Sequence, residues 1–461
     1  MCFTLFFCHG GLRLKIGNWS RFLTPERMLL GSFAVMILAG TVLLKLPFCS
    51  ASGHIRTIDA LFTATSAVCV TGLVVLDTGK DFSVAGQLVI LTLIQLGGLG
   101  IMTFSVLFWN LLGRDISLRG KMALESSLSY SPLRDVLSLA KQVILIAFSF
   151  EAIGALLLLL RWLKTFPLQK ALYLSLFHAV SAFCNAGFSP FSDSLSSFRG
   201  DWAINLVVCS LIVLGGVGFI VIIEIRDRFL RGKRLSLHTK VVLLTTLVLI
   251  LTGTLLLEVM ERGNVLRGGS FGEKIMVSLF HSISARTAGF STVEIGRMGD
   301  AALFLLIILM FIGASPGSCG GGVKTTNLAI LFSLAYNRLR GRSEAIMFRR
   351  TVPSETVIRS ISLIMGSFLF LSLMLFLLLI FHGGGSHHGG TFIKLLFELT
   401  SAFGTVGLST GLTPTLTDVG EIILIVTMLV GRLGLLTTAY ALARRVQEPV
   451  FRYAEENIMV G

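Results

Sequence analysis

Long apolar blocks alternate with short charged ones along the whole chain. Residues 28–44, 82–113, 202–223, 241–257, 301–323 and 360–381 contain no Asp, Glu, Lys or Arg, and 142–160 and 422–443 carry a single central charge each, Glu151 and Arg432. Each block is near or above the roughly 20 residues that cross a bilayer as a helix. The pattern therefore predicts eight spans. The runs are continuous rather than alternating with a period of two, which argues for helices and against a membrane barrel.

Charge then orients the spans. Lys and Arg number four in 13–27, five in 114–141, six in 226–240, six in 338–359 and three in 444–452. These segments precede the first span, separate every second pair and follow the last, so the positive-inside tendency places them and both termini in the cytoplasm. That one face holds 24 of the 39 basic residues, and the net charge of +14 calls for no nucleic-acid partner. The same residues can meet anionic membrane lipid. Hydrophobic residues make up 54% of the chain and charged ones only 14%, against about one quarter charged in soluble domains. The opening Met1–Cys8 stretch lacks the basic region of a signal peptide. The seven cysteines form neither a paired framework nor a ligand cluster.

Between the outward ends of each pair of spans a short motif recurs. It reads Leu61-Phe62, Ser66-Ala67 and Gly72-Leu73 in the first unit and Leu176-Phe177, Ser181-Ala182 and Gly187-Phe188 in the second. The third unit has Leu279-Phe280, Ser284-Ala285 and Gly289-Phe290, one residue shorter, and the fourth Leu396-Phe397, Ser401-Ala402 and Gly407-Leu408. The glycines lie 115, 102 and 118 residues apart, so the unit is about a quarter of the chain. A second signal repeats in register: Gly97-Gly98-Leu99-Gly100, Gly215-Gly216-Val217-Gly218 and Gly431-Arg432-Leu433-Gly434, with Gly313 opening a glycine-rich stretch in the third unit. The division this predicts is an N-terminal segment 1–26, four units at 27–113, 114–232, 233–340 and 341–445, and a tail 446–461. The units 114–232 and 341–445 include their preceding cytoplasmic linkers.

Each unit thus reads span, short element, span. A helix of about ten residues is roughly 15 Å long, so the short element enters from outside and returns. Irregular backbone at that depth is tolerated only against protein or an aqueous path. Four such elements around one axis can turn backbone carbonyls inward to replace the water lost by a cation, and glycine lets four chains converge. The expected fold is an all-α integral membrane protein with four helix–pore loop–helix units around a pseudo-fourfold pore. The expected selectivity filter is Val70, Thr71 and Gly72, Asn185, Ala186 and Gly187, Thr287, Ala288 and Gly289, and Thr405, Val406 and Gly407.

The third unit departs from its siblings. Its second span runs into Gly313, Ala314, Ser315, Pro316, Gly317, Ser318, Cys319, Gly320, Gly321 and Gly322, then Val323 and Lys324. Proline and clustered glycine break helices, so a loop is expected to interrupt this span at mid-membrane as a pore constriction. The spacing is not that of a nucleotide-binding loop and no strand precedes it. Arg432 lies near the centre of a span, where a charge is costly unless it faces protein or water; there it can oppose cations or anchor the loop. Glu151 is a candidate counter-charge. His178 and His281 do not recur in the first and fourth units and read as structural rather than metal-binding; His382, His387 and His388 read as an external loop. No nucleophile, acid–base pair or metal triad supports an enzyme.

The marks Ser315–Thr326, Ala285-Arg286-Thr287-Ala288-Gly289-Phe290 and Gly431–Gly434, with the four glycines, resemble the Trk/Ktr/HKT superfamily of potassium transporters over about residues 27–445. The likeness is greatest to the membrane subunit of bacterial Ktr systems, since larger Trk-type subunits carry two additional N-terminal spans and only 26 residues precede the first span here. The resemblance implies that Gly72, Gly187, Gly289 and Gly407 are the selectivity signature, that residues 313–322 gate the pore with Lys324 beside them, and that Arg432 is the family's buried arginine. Cys319 stands where threonine is frequent in relatives. The resemblance further implies a homodimer with one pore per subunit in a bacterial cytoplasmic membrane, and a separate cytosolic ring of Rossmann-like subunits that binds ATP or ADP. Potassium would enter down its electrochemical gradient, the membrane potential contributing about 2.3 kcal/mol per charge per 100 mV. Sodium-preferring or mixed transport and a non-conducting scaffold are the alternatives.

Overall fold

The computed structural model describes residues 25–100, 136–382 and 391–442. The expected span segment 101–113, linker residues 114–135, His387, His388 and the tail lie outside them.

Each unit supplies a long first helix, a short pore helix and a second helix, the last interrupted in the second, third and fourth units. In the first unit these are α1 Pro25–Leu44, α2 Thr57–Val68 and α3 Val84–Gly98. The second has α4 Val136–Trp162, α5 Leu168–Phe183, α6 Trp202–Val217 and α7 Phe219–Arg231. The third has α8 Leu237–Glu261, α9 Phe271–Ser284, α10 Asp300–Phe311 and α11 Thr325–Leu339. The fourth has α12 Ser354–His382, α13 Thr391–Gly404, α14 Asp418–Leu433 and α15 Leu435–Leu442. A two-residue ribbon, β1 Ile346–Met347 against β2 Arg350–Thr351, sits in the linker before the fourth unit.

The first helices α1, α4, α8 and α12 are each long and apolar enough to cross a membrane. Their outward faces carry exposed Leu38, Leu145, Leu251, Phe368 and Leu369, a surface suited to lipid rather than water. The second helices differ from expectation. Only the third unit was expected to break, yet the straight spans 202–223 and 422–443 bend by 99° after Val217 and by 102° after Leu433. The hinges are Gly218 and Gly434, with φ of +101° and +86°, and α3 stops before Gly100, with φ of +86°. These are left-handed values that an L side chain resists, so the last glycine of each Gly-x-x-Gly group is where the chain turns.

The first glycine of the same groups packs instead. A β-carbon on Gly97, Gly215 or Gly431 would fall 2.8, 2.9 or 2.7 Å from the carbonyl carbon of Val68, Phe183 or Phe403, the C-terminal turns of α2, α5 and α13. Second helix and pore helix of one unit therefore touch backbone to backbone. Three second helices also open on a side-chain cap, with Ser83, Asp201 and Thr417 accepting from the backbone N–H of Gly86, of Ala203 and Ile204, and of Gly420.

The units close into a ring. Each second helix packs on the pore helix of the next unit: α3 on α5, α6 on α9, α10 on α13, and α14 back on α2. The pore helices run to 12, 16, 14 and 14 residues, longer than the ten expected, yet still too short to cross. The recurrent Phe62, Phe177, Phe280 and Phe397 are fully buried and fix these helices in the core.

Candidate pore and its constriction

Every pore helix ends beside the axis and gives way to an extended strand. The negative ends of four helix dipoles thereby converge on one place, which favours a cation. In each strand the residue two before the glycine has positive φ despite its side chain: Val70 +56°, Asn185 +60°, Thr287 +77° and Thr405 +50°. The glycines follow at +90°, +70°, +79° and +92°. Alternating the sign of φ turns successive carbonyls toward one side of the strand, whereas a regular β-strand points them alternately to both. Four repetitions of a conformation costing ~1–3 kcal/mol per non-glycine residue require a surrounding that holds it.

That surrounding is the recurrent serine. Its main-chain carbonyl accepts from the residue before the glycine: Thr71 to Ser66 at 2.7 Å, Ala186 to Ser181 at 2.7 Å, Ala288 to Ser284 at 2.9 Å and Val406 to Ser401 at 2.8 Å. The shorter third unit keeps this bond by closing over four residues instead of five. The hydroxyls complete the clasp in two ways. Ser66 and Ser401 accept from the N–H of Gly72 and Gly407, each at 3.0 Å, while Ser181 and Ser284 donate to the carbonyls of Phe188 and Phe290 at 2.8 and 2.5 Å. Sequence reading recognised the Ser-Ala repeat but gave it no task.

The glycines meet cyclically. A β-carbon on Gly72 would lie 3.1 Å from the Gly187 Cα, one on Gly187 2.9 Å from Gly289, one on Gly289 3.1 Å from Gly407, and one on Gly407 3.0 Å from Gly72. In each case the nearest atom is the carbonyl oxygen preceding the neighbouring glycine: Ala186, Ala288, Val406 and Thr71 in turn. Four backbones thus abut with no room for a side chain. All twelve residues expected at a filter sit together here, and the Asn185 amide and Thr287 hydroxyl add a contact of 3.2 Å between the second and third strands.

In the second and fourth units the residue after the Leu-Phe pair anchors the strand's outer continuation. His178 is bonded to the Leu174 carbonyl at 2.8 Å and to the Ser189 hydroxyl at 3.0 Å. Glu398, fully buried, accepts from Ser409 and from Thr410 N–H and hydroxyl at 2.9, 2.7 and 2.8 Å, and from Thr413 at 2.5 Å. Among the described residues no group of three or more His, Cys, Asp or Glu is placed to hold a metal.

Directly against the ring lies the stretch between α10 and α11. A β-carbon on Gly320 or Gly321 would collide with the hydroxyl of Thr287 or of Thr405, the latter at 2.6 Å, and the Gly321 N–H donates to Thr405 Oγ1 at 2.9 Å. Ser315 and Cys319 donate their N–H to the Gly216 and Gly215 carbonyls at 3.1 and 3.2 Å, Gly322 donates to Gly431 at 3.3 Å, and Phe219 donates to the Gly317 carbonyl at 3.0 Å. The loop is therefore stitched by its backbone to the second helices of the second and fourth units. Those helices expose free carbonyls because they end at the glycine hinges. Cys319 contributes its main chain, and its side chain is wholly buried.

Two basic residues clamp the loop. Lys324 donates to the Gly320 carbonyl at 2.7 Å. Arg432 donates to the carbonyls of Cys319 and Gly97 and, at 3.5 Å, of Gly98, tying loop, fourth unit and first unit together. Glu151 is not its counter-charge. Both carboxylate oxygens of Glu151 accept from the Gln95 amide at 3.0 Å. Arg286, from the third-unit motif, stays outside the ring with its guanidinium 3.4 Å from Thr246.

Comparison with known proteins agrees with this architecture. Residues 27–453 match the family profile described as TrkH, cation transport protein. Ktr system potassium uptake protein B of Bacillus subtilis is 39% identical over 452 residues, covering 97% of this chain and 99% of that protein. Potassium/sodium uptake protein NtpJ of Enterococcus hirae is 38% identical over 444 residues, covering 95% and 98%. In three dimensions the crystal structure of the potassium transporter TrkH from Vibrio parahaemolyticus gives a TM-score of 0.71 at 20% identity, covering 94% of this chain and 87% of that one, a likeness of fold. A fourfold ring of helix units with a match along nearly its whole length establishes that the chain belongs to the TrkH family of cation transport proteins.

Proposed function

We propose that this protein carries potassium ions across a bacterial cytoplasmic membrane, down the electrochemical gradient, through the axis of the glycine ring. The closed cycle from Gly72 through Gly187, Gly289 and Gly407 back to Gly72 carries the reading. Backbones packed this closely leave carbonyl oxygens as the only groups able to face the axis, and such rings substitute for a cation's hydration. Val70–Gly72, Asn185–Gly187, Thr287–Gly289 and Thr405–Gly407 form the filter in this reading. Residues 313–322, held by Lys324 and Arg432, form the gate. Relatives named as potassium uptake proteins support the choice of ion. Mixed potassium and sodium transport is the second reading, favoured by the relative named for both ions.

The chain works as a homodimer under a separate cytosolic ring that binds ATP or ADP, with both termini and the basic linkers on the cytoplasmic side. The kinship with B-type subunits of Ktr systems supports that partnership. An open pore would dissipate the membrane potential, so a controller must bind the open and closed states unequally. Reconstitution into vesicles under an imposed inside-negative potential tests the function: potassium and rubidium should enter, and sodium far more slowly. Absence of flux for every cation would leave a scaffold.

A further inference from the structure

Beneath the loop, on the side away from the ring, lies a cavity of about 260 Å³ to which all four units contribute. Its polar wall holds Lys324, Arg432, Arg359, Ser318 and Asn327. Arg432 and Lys324 direct hydrogen bonds to neutral backbone carbonyls. Among the described residues no carboxylate lies within ion-pair distance of either, and Arg359, exposed in the first turns of α12, makes no hydrogen bond or ion pair with a described residue. Glu151, the acid that could have offset them, is occupied by Gln95. The N-terminus of the 15-residue α11 begins at the same wall and adds the positive end of its dipole.

An arginine stays charged in a protein, and a charge out of water needs a compensating partner. Here the half-buried Arg432 and Lys324 and the exposed Arg359 gather on one chamber in the proposed path of a cation, with no carboxylate among the described residues to offset them. The space is several times the ~30 Å³ share of one water. We infer that the chamber binds a phosphate-bearing anion, held by Arg359, Lys324 and Arg432. A guanidinium matches the paired oxygens of a phosphate and a lysine adds a mobile point charge, while a helix N-terminus favours the same group.

Bound there, the anion competes with the Cys319 and Gly320 carbonyls for Arg432 and Lys324. It thereby loosens both clamps on the loop and offsets the charge that repels a cation. This gating half rests on the proposed pore function; the binding half does not. Leu29 and Phe33 of α1 flank the same cavity, so the phosphate can belong to an anionic lipid whose chains follow that flank, or it can be free.

The test uses the full chain, stripped of lipid in detergent, with native mass spectrometry and phosphorus NMR as binding readouts. Inorganic phosphate, short-chain phosphatidylglycerol and short-chain phosphatidylcholine are added separately to wild type, Arg359→Gln and Arg359→Lys. Wild type should bind phosphatidylglycerol at one per chain and not phosphatidylcholine. Binding of inorganic phosphate as well would identify the headgroup alone as sufficient, and binding of the lipid only would identify the membrane as the source. Loss of one charge-assisted contact should weaken Arg359→Gln about tenfold, while Arg359→Lys, which keeps the charge, should retain most of the affinity. Binding of neither anion to wild type, or equal affinity in Arg359→Gln and wild type, overturns the site. In vesicles, phosphatidylglycerol should raise wild-type potassium flux several-fold over phosphatidylcholine alone. Binding with unchanged flux refutes the gating half, and absence of flux in every vesicle refutes the pore function and leaves the site to be judged by binding.

Discussion

Replacing Gly407 by alanine places one methyl group at the tightest point of the ring. Its φ is +92°, where an L residue costs ~1–2 kcal/mol. The new carbon would overlap the Thr71 carbonyl oxygen and lie 3.0 Å from the Gly72 Cα. Those atoms belong to a backbone clasped by Ser66 and cannot swing away like a side-chain tip. Overpacking of that kind adds ~1–3 kcal/mol, so the strain totals ~2–5 kcal/mol, concentrated on two of the four strands. The pore helices and the other two strands keep their contacts, so the protein should still fold. If only ~1.4 kcal/mol of the strain reaches the difference between potassium and sodium coordination, the selectivity ratio falls tenfold. Permeability ratios from potential-driven flux in proteoliposomes measure this directly. An alanine protein with normal flux and an unchanged ratio would remove Gly407 from the selective part of the path and refute the ring as its origin.

Thr405→Val removes the hydroxyl that accepts from the Gly321 N–H, leaving a buried donor unpaired at a cost of ~1–3 kcal/mol. Val70 already holds the equivalent position at positive φ, so the strand should survive and basal flux should rise through a loosened loop; unchanged flux would detach the loop from the ring. Deleting residues 314–320 should raise unregulated flux further, and a folded deletion protein conducting at or below wild type would contradict a constriction there. Glu398→Gln keeps one acceptor oxygen and replaces the other by an NH2 group, so either Thr413 or the Ser409 and Thr410 donors lose their acceptor. The detergent-solubilised protein should unfold at lower temperature, by an amount reflecting ~1–3 kcal/mol, and an unchanged Tm would show that the outer strand is anchored elsewhere.

The fourfold repeat was legible because one geometric demand is met four times, leaving Leu-Phe, Ser-Ala and glycine at matched positions in sequences that otherwise differ. The glycine hinges were present in the same text and misread. A single glycine in a membrane helix costs only ~1 kcal/mol and often serves packing, so Gly218 and Gly434 gave no local sign of bends near 100°. Comparing positions within the motif would have found them, since Gly97, Gly215 and Gly431 share one role and Gly100, Gly218 and Gly434 another. Proline made the third-unit loop readable, and no proline marks the bends after Val217 and Leu433. Positive φ at Val70, Thr287 and Thr405 was beyond reach, because β-branched residues argue against it and only the serine clasp and the neighbouring strands impose it; Asn185 alone is of a type that adopts it readily. The partner of Glu151 was equally hidden. Gln95 lies 56 residues away, and their meeting depends on α3 packing at the ring joint between the first two units.

The most direct measurement is the position of a bound ion. Crystals grown in rubidium, with data collected at the rubidium absorption edge, should show anomalous density on the axis, ringed by the carbonyl oxygens of Thr71, Ala186, Ala288 and Val406. The density should disappear when sodium replaces rubidium. Rubidium density located elsewhere in the protein, with none inside the glycine ring of a protein that conducts rubidium, would contradict the account.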